Sequence, residues 1–158
     1  MLALVDESIL LSGAGCYLLA CVVIPDDRRA RTRRAVRRAA VGSRFHRKDE
    51  RDDARLRMLG VVADGATSLY GYICRPTVRR DHERNRGELL ASPLVDLAST
   101  VTLDLLIESR QRPNDLKDRK VIAAAVTAGD VPVDLNYGHT GPDQEPLLWL
   151  ADALAGAL

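Results

Sequence analysis

The sequence predicts an α/β domain, a mixed sheet of about five strands with helices on both faces. Three observations predict it. Apolar runs of strand length open the chain, and after them strand-like runs alternate with longer stretches whose apolar residues recur at helical spacing. Gly and Pro punctuate the boundaries between these segments. The 158 residues fit one domain, 1–158, and the 46% apolar and 28% charged fractions are those of a globular chain without low-complexity tracts.

The elements follow in order. Residues 2–5 form an apolar run and 16–24 (CYLLACVVI) a longer one, both suited to strands buried on two faces. Ser12 to Gly15 supplies a turn, so the two form an antiparallel hairpin. Pro25, Asp26 and Asp27 start a helix that continues over 28–41, with its acids near the positive end of the helix dipole. After Gly42 and Ser43, a second helix over 48–63 places Leu56, Leu59, Val62 and Ala63 on one side. A strand is expected over 68–74, then a helix over 85–100 that Pro93 kinks or splits. Residues 102–107 (TLDLLI) read as a fourth strand that delivers Glu108 at its exit. A helix over 115–128 stops at Gly129, and 131–137 (VPVDLNY) alternates as an edge strand would. The last helix spans 145–158, with Pro146 in a first turn that tolerates it.

Charge is distributed unevenly although the net is only +1. Residues 28–57 hold thirteen Lys or Arg against four acids, whereas 121–158 hold five acids and no Lys or Arg. The basic band, joined by Arg75, Arg79, Arg80, Arg84 and Arg86, is suited to tracking the phosphates of RNA or DNA, and equally to a solvated arginine-rich face. With 4% aromatic residues, base stacking has little material. No run has the roughly 18–20 uncharged apolar residues of a membrane helix, and residues 1–7 lack the order of a secretory signal. Cys16, Cys21 and Cys74 are odd in number without CxxC spacing and are expected as reduced core residues. These features together suggest a cytoplasmic protein.

Acids at strand ends carry the chemistry. Asp6 and Glu7 after the first strand and Glu108 after the fourth meet if those strands are neighbours. Asp152 lies in an otherwise apolar helix, where a carboxylate turned toward the sheet is costly unless paired or metal-bound. Carboxylates gathered in one place repel and raise one another's pKa until a divalent cation neutralises them. An oxygen-only set selects Mg²⁺ or Mn²⁺. An Asp-Glu pair after a strand is also an ordinary turn, and an Asp in an amphipathic helix is also an ordinary solvated residue. A zinc site from His46, His82 and His139 lacks paired ligand spacing.

Residues 5–8 (VDES) with the strand YLLACVVIP, then 45–50 (FHRKDE) and 148–157 (LWLADALAGA), resemble the bacterial family catalogued as domain of unknown function 3800. The likeness spans nearly the whole chain. It implies a ribonuclease H-like fold, whose nucleases carry acids on the first strand, a following helix, after the fourth strand and on the last helix. Carried over, these are Asp6, Glu50, Glu108 and Asp152, with Asp6, Glu108 and Asp152 as the catalytic set and Glu50 as a further metal ligand; Glu7 joins the candidate metal ligands by its place beside Asp6. The chain departs from the family in having Ile9 where Gly is common, Trp149 where Gln is common, and Glu108 where Asp is common. His46 and Glu50 share a face if the second helix begins early enough, and His46, Lys48, Arg44 and Arg47 are candidates to contact substrate. The implied activity is Mg²⁺- or Mn²⁺-dependent phosphoryl transfer on nucleic acid. A non-catalytic module binding nucleic acid or protein on the same fold, and an accessory protein in which Asp152 pairs with an Arg, remain alternatives.

Overall fold

A computed structural model describes residues 1–10, 15–40, 45–46, 50–74, 81–98 and 104–158. Strands β1 (Leu2–Leu10) and β2 (Cys16–Ile24) pair antiparallel from Leu2 opposite Ile24 to Leu10 opposite Cys16, as the hairpin expectation requires. Helices α1 (Asp26–Ala39) and α2 (Asp52–Gly65) follow, then β3 (Ser68–Cys74), α3 (His82–Ala98), β4 (Asp104–Glu108), α4 (Arg112–Ala128), β5 (Asn136–Thr140) and α5 (Leu148–Ala155). The sheet order is β3-β2-β1-β4-β5, with β3 antiparallel to β2 and with β4 and β5 parallel to β1 and β4 respectively. Among the described residues no helix is long and apolar enough to cross a membrane.

Alternation along the strands divides the core in two. Leu2, Leu4, Leu18, Ala20 and Val22 face α1, α2 and α5. Ala3, Val5, Leu19, Cys21 and Val23 face α3 and α4, where Leu90, Leu94 and Ile122 meet them. Both sheet faces are therefore covered, and β2 is buried along its whole length, which is why its sequence shows no polar alternation.

Four of the boundaries that differ from the sequence expectation have a clear physical reason. Strand β1 runs to Leu10 because β2 is long enough to pair with it there, so Asp6 lies within the strand and not after it. The fifth strand is Asn136–Thr140, in register with Asp104–Glu108, while Leu135 N–H bonds to the Pro132 carbonyl in a turn. Residues 131–135 alternate in apolarity, but Pro132 has no N–H for a ladder. Helix α2 begins at Asp52 after its N-cap Arg51, so Glu50 precedes it and shares no helical face with His46. Helix α5 is shorter than 145–158; its approach is tight, with Leu148 and Trp149 N–H groups bonded to the Glu145 and Pro146 carbonyls. Helix α3 runs through Pro93.

Candidate functional site

Asp6 and Glu108 come together where the parallel pairing of β1 and β4 ends. Val5 opposite Ile107 is the last registered pair, and the next residue on each strand is a carboxylic acid. Both belong to the even-numbered series that faces α5, along with Leu4 and Leu106. Helix α5 lies over this end of β1 because its other residues, Leu148 to Ala151 and Ala153 to Ala155, are buried. That leaves Asp152 at the edge of the buried face, with its side chain 17% exposed.

The three acids line one cleft of about 340 Å³ with Phe45, His46 and Trp149. The His46 Nδ1 lies 3.3 Å from the Asp152 Oδ2. Phe45 and Trp149, with ring centroids 6.5 Å apart, form an apolar wall beside the carboxylates. Trp149 thus fills a place in the cleft that the family resemblance left as a departure. The Asp6 Oδ1 accepts a hydrogen bond from the Glu7 N–H at 2.7 Å, which fixes its rotamer.

Asp6 is held well above the ordinary carboxylate pKa, first by burial, then by the charges of Glu108 and Asp152, with a further contribution from its hydrogen bond with Glu108. The Arg86 guanidinium opposes these effects without reversing them. The three carboxylates that line the cleft offer oxygen-only donors, the kind a hard divalent cation takes.

The structure does not bring every expected ligand to this cleft. Glu7 borders it as the neighbour of Asp6, but its carboxylate turns to the other face of β1 and pairs with Arg86. A one-residue step along a strand reverses the side-chain direction, so adjacent acids cannot both enter one site on one face. Glu50 lines a separate shallow groove with Arg51, Asp52, Asp53 and Arg55. Arg44, Arg47 and Lys48 lie outside the described residues.

Behind the cleft is a network that sequence reasoning missed. Arg86, assigned from sequence to the basic band, is only 1% exposed. It pairs with Glu7 and binds the Asp118 carboxylate through Nε at 3.0 Å and Nη2 at 2.9 Å. Arg110 donates to Asp118 at 3.0 Å and to Glu83 at 2.7 Å, and the His139 Nε2 lies 3.3 Å from the Asp118 Oδ2. Burial alone would raise the Asp118 pKa, but hydrogen bonds from His139 and Arg86 and the charges of Arg86 and Arg110 bring it down to about 2.

Asp115, Asp118 and His139 also place ligand-type atoms within 4.8 Å of one another. This carboxylate cluster does not fit a metal. Both Asp118 oxygens accept from Arg86, one also from Arg110, and Asp115 accepts from Ser109 Oγ at 2.7 Å and Arg110 N–H at 2.9 Å. A cation there would meet two guanidinium groups at contact distance. The signal that could have found this network was an Arg in a helix turn flanked by apolar Leu89 and Leu90, but its partner is 32 residues away.

No family model matches the chain, and no curated protein matches it. Among solved structures it is similar to the structure of the PCNA:RNase HII complex from Archaeoglobus fulgidus, at 15% identity and a TM-score of 0.51. That match covers 99% of this chain and 70% of the other. With its mixed five-stranded sheet in the order β3-β2-β1-β4-β5 and helices on both faces, the chain has a ribonuclease H-like fold.

Proposed function

We propose that the protein is a metal-dependent nuclease, or a related phosphoryl-transfer enzyme, in which Asp6, Glu108 and Asp152 hold Mg²⁺ or Mn²⁺. The observation that carries this reading is the convergence of three carboxylates from β1, β4 and α5 in one cleft, where their charges raise the proton affinity of Asp6. Bound there, a divalent cation would supply an activated water and charge stabilisation at the leaving oxygen of a phosphodiester.

The residues of the chain have distinct tasks in this reading. Asp6, anchored by the Glu7 N–H, is the fixed member of the set because it lies inside a paired strand. Asp152 is presented by a helix that His46 also touches, so His46 is placed to orient this carboxylate or exchange a proton with the entering water. Phe45 and Trp149 exclude bulk water from one side of the cleft, which strengthens the electrostatic interactions within it. RNA or DNA is the partner this reading calls for, and the likeness to a ribonuclease structure supports it only through the fold. A cytoplasmic setting accords with three free cysteines. Membership in the family catalogued as domain of unknown function 3800 is part of the same proposal.

The test is cleavage of labelled RNA, DNA and hybrid oligonucleotides with Mg²⁺ or Mn²⁺. Asp6→Asn is expected to lower the rate by at least about a thousandfold, roughly 4 kcal/mol of transition-state stabilisation. Cleavage by that variant at the native rate would overturn the proposal. Oligonucleotide binding that persists in EDTA, with no cleavage under any metal, would mark a binding module instead.

A further inference from the structure

Helix α1 carries seven arginines, and the helical angle sorts five of them into two groups. Arg29 and Arg33, four apart, reach carboxylates at the sheet end and the α5 entrance: Asp104 at 2.8 Å and Glu145 at 2.6 Å. Arg31, Arg34 and Arg38 lie three and four residues apart on the side toward α2, where they line a groove of about 550 Å³ with Val61 and Asp64 of that helix. Among the described residues, none forms an ion pair or hydrogen bond with these three guanidinium groups.

At the base of the groove sits Thr32, 2% exposed, whose hydroxyl oxygen is buried without a hydrogen-bond partner. A buried hydroxyl with no partner costs stability. Gly65 of α2 lets the two helices approach closely at this point: a Cβ there would fall 2.9 Å from the Thr32 hydroxyl oxygen and 2.7 Å from its methyl carbon. The groove therefore combines three guanidinium groups that form no ion pair among the described residues, a buried hydroxyl and a close helix crossing that glycine permits.

We propose that this α1–α2 groove binds the phosphate backbone of nucleic acid, as a subsite separate from the carboxylate cleft. Only the nature of the polyanion rests on the function proposed above. From Arg31 to Arg38 the helix rises about 10 Å, a length over which one nucleic-acid strand presents about three phosphates. Each guanidinium offers a planar fork of donors suited to phosphate oxygens, and Thr32 offers a neutral donor beneath them. Like charges on one helix face repel, and a bound anion relieves that cost. Among the described residues no aromatic side chain lines the groove, so recognition is by backbone and independent of base sequence. The concave shape, with its donor at the bottom, favours a strand over a flat lipid surface.

The test is fluorescence anisotropy of labelled 20-nucleotide RNA and duplex DNA in EDTA, titrated between 50 and 200 mM salt. The native protein is expected to bind with a salt-dependent affinity. In the triple variant Arg31→Gln, Arg34→Gln, Arg38→Gln, the slope of log affinity against log salt should become shallower by about 2 to 3, with binding weakened at least tenfold at 50 mM. Thr32→Val should weaken binding severalfold with the slope unchanged, and Arg119→Gln with Lys120→Gln on α4 should change neither.

A triple variant that keeps the native slope overturns the proposal, as does a native protein that binds neither oligonucleotide or prefers phosphatidylserine vesicles. The two readings fail separately. Groove-dependent binding without metal-dependent cleavage sinks the nuclease and leaves the groove, whereas cleavage lost in Asp6→Asn but untouched by the triple variant does the reverse.

Discussion

On one face of β1, Asp6 is partly buried beside Glu108 and Asp152, and its proton affinity rises. On the other face, one residue along, Glu7 meets Arg86, which also grips Asp118 and helps bring that carboxyl down to about 2. The same strand thus separates two carboxylate clusters that differ in what balances them. The Glu7 side is balanced from within the protein by arginines and serves the fold. The Asp6 side concentrates like charge in an open cleft, the arrangement expected where the balancing cation comes from outside. Adjacent acids in a sequence can therefore have opposite purposes, and the pleat decides which is which.

The largest expected effect comes from removing the arginine that makes the difference. Arg86→Met would leave Asp118 buried and Glu7 partly buried without the guanidinium that pairs with both, at a cost of about 3–5 kcal/mol. Urea unfolding followed by circular dichroism measures it. A loss under about 1 kcal/mol would mean that Arg110 and His139 suffice for Asp118, and the contrast between the two faces would narrow.

Acid should test the same contrast without mutation. The folded pKa of Asp118 lies below its unfolded value of 3.8, so the stability it contributes is present above pH 4 and is lost as pH falls toward 2. A shift of nearly two units corresponds to about 2 kcal/mol. The Arg86→Met variant should lose most of this acid-sensitive increment, and an undiminished increment in that variant would detach Asp118 from Arg86.

Why one cluster was legible in the sequence and the other was not follows from distance along the chain. Asp6, Glu108 and Asp152 each interrupt or end an apolar run, so each is conspicuous locally, and the resemblance tied them together. Alternation also separates Asp6 from Glu7, yet reading both as lying after the first strand groups them as ligands. Arg86 and Asp118 carry no such mark: each sits in a helix rich in charge, and only the packing of α3 on α4 makes them partners. Strand β5 shows the same limit. Its position depends on pairing with β4 more than on the apolar alternation of 131–137.

Asp6→Asn should sharpen the comparison from the other side. Because burial and neighbouring carboxylates raise its folded pKa, the stability linked to Asp6 is present at low pH and is lost as pH rises through that value. Above that value the metal-free protein carries a destabilising charge. The amide should raise its stability by about 0.5–2 kcal/mol, read as roughly 2–4 °C per kcal/mol in a melt. Mn²⁺ should stabilise the native protein in the same melt and leave the variant unmoved. A variant less stable than the metal-free native protein would place Asp6 among the balanced carboxylates.

The smallest effect is expected at Glu50, the acid that the resemblance assigns to the site and the structure places elsewhere. It precedes the N-cap of α2 and borders a groove with Arg51, Asp52, Asp53 and Arg55, so its charge is one of several at a helix N-terminus. Glu50→Gln should change stability by no more than about 0.5 kcal/mol and leave Mn²⁺ affinity, measured by calorimetric titration, at the native value. A tenfold loss of affinity, about 1.4 kcal/mol, would mean that Glu50 reaches the metal when one binds. The unbalanced face of β1 would then recruit a fourth carboxylate from the α2 entrance, and charge would be more lopsided between the two faces than the Asp6 cleft alone implies.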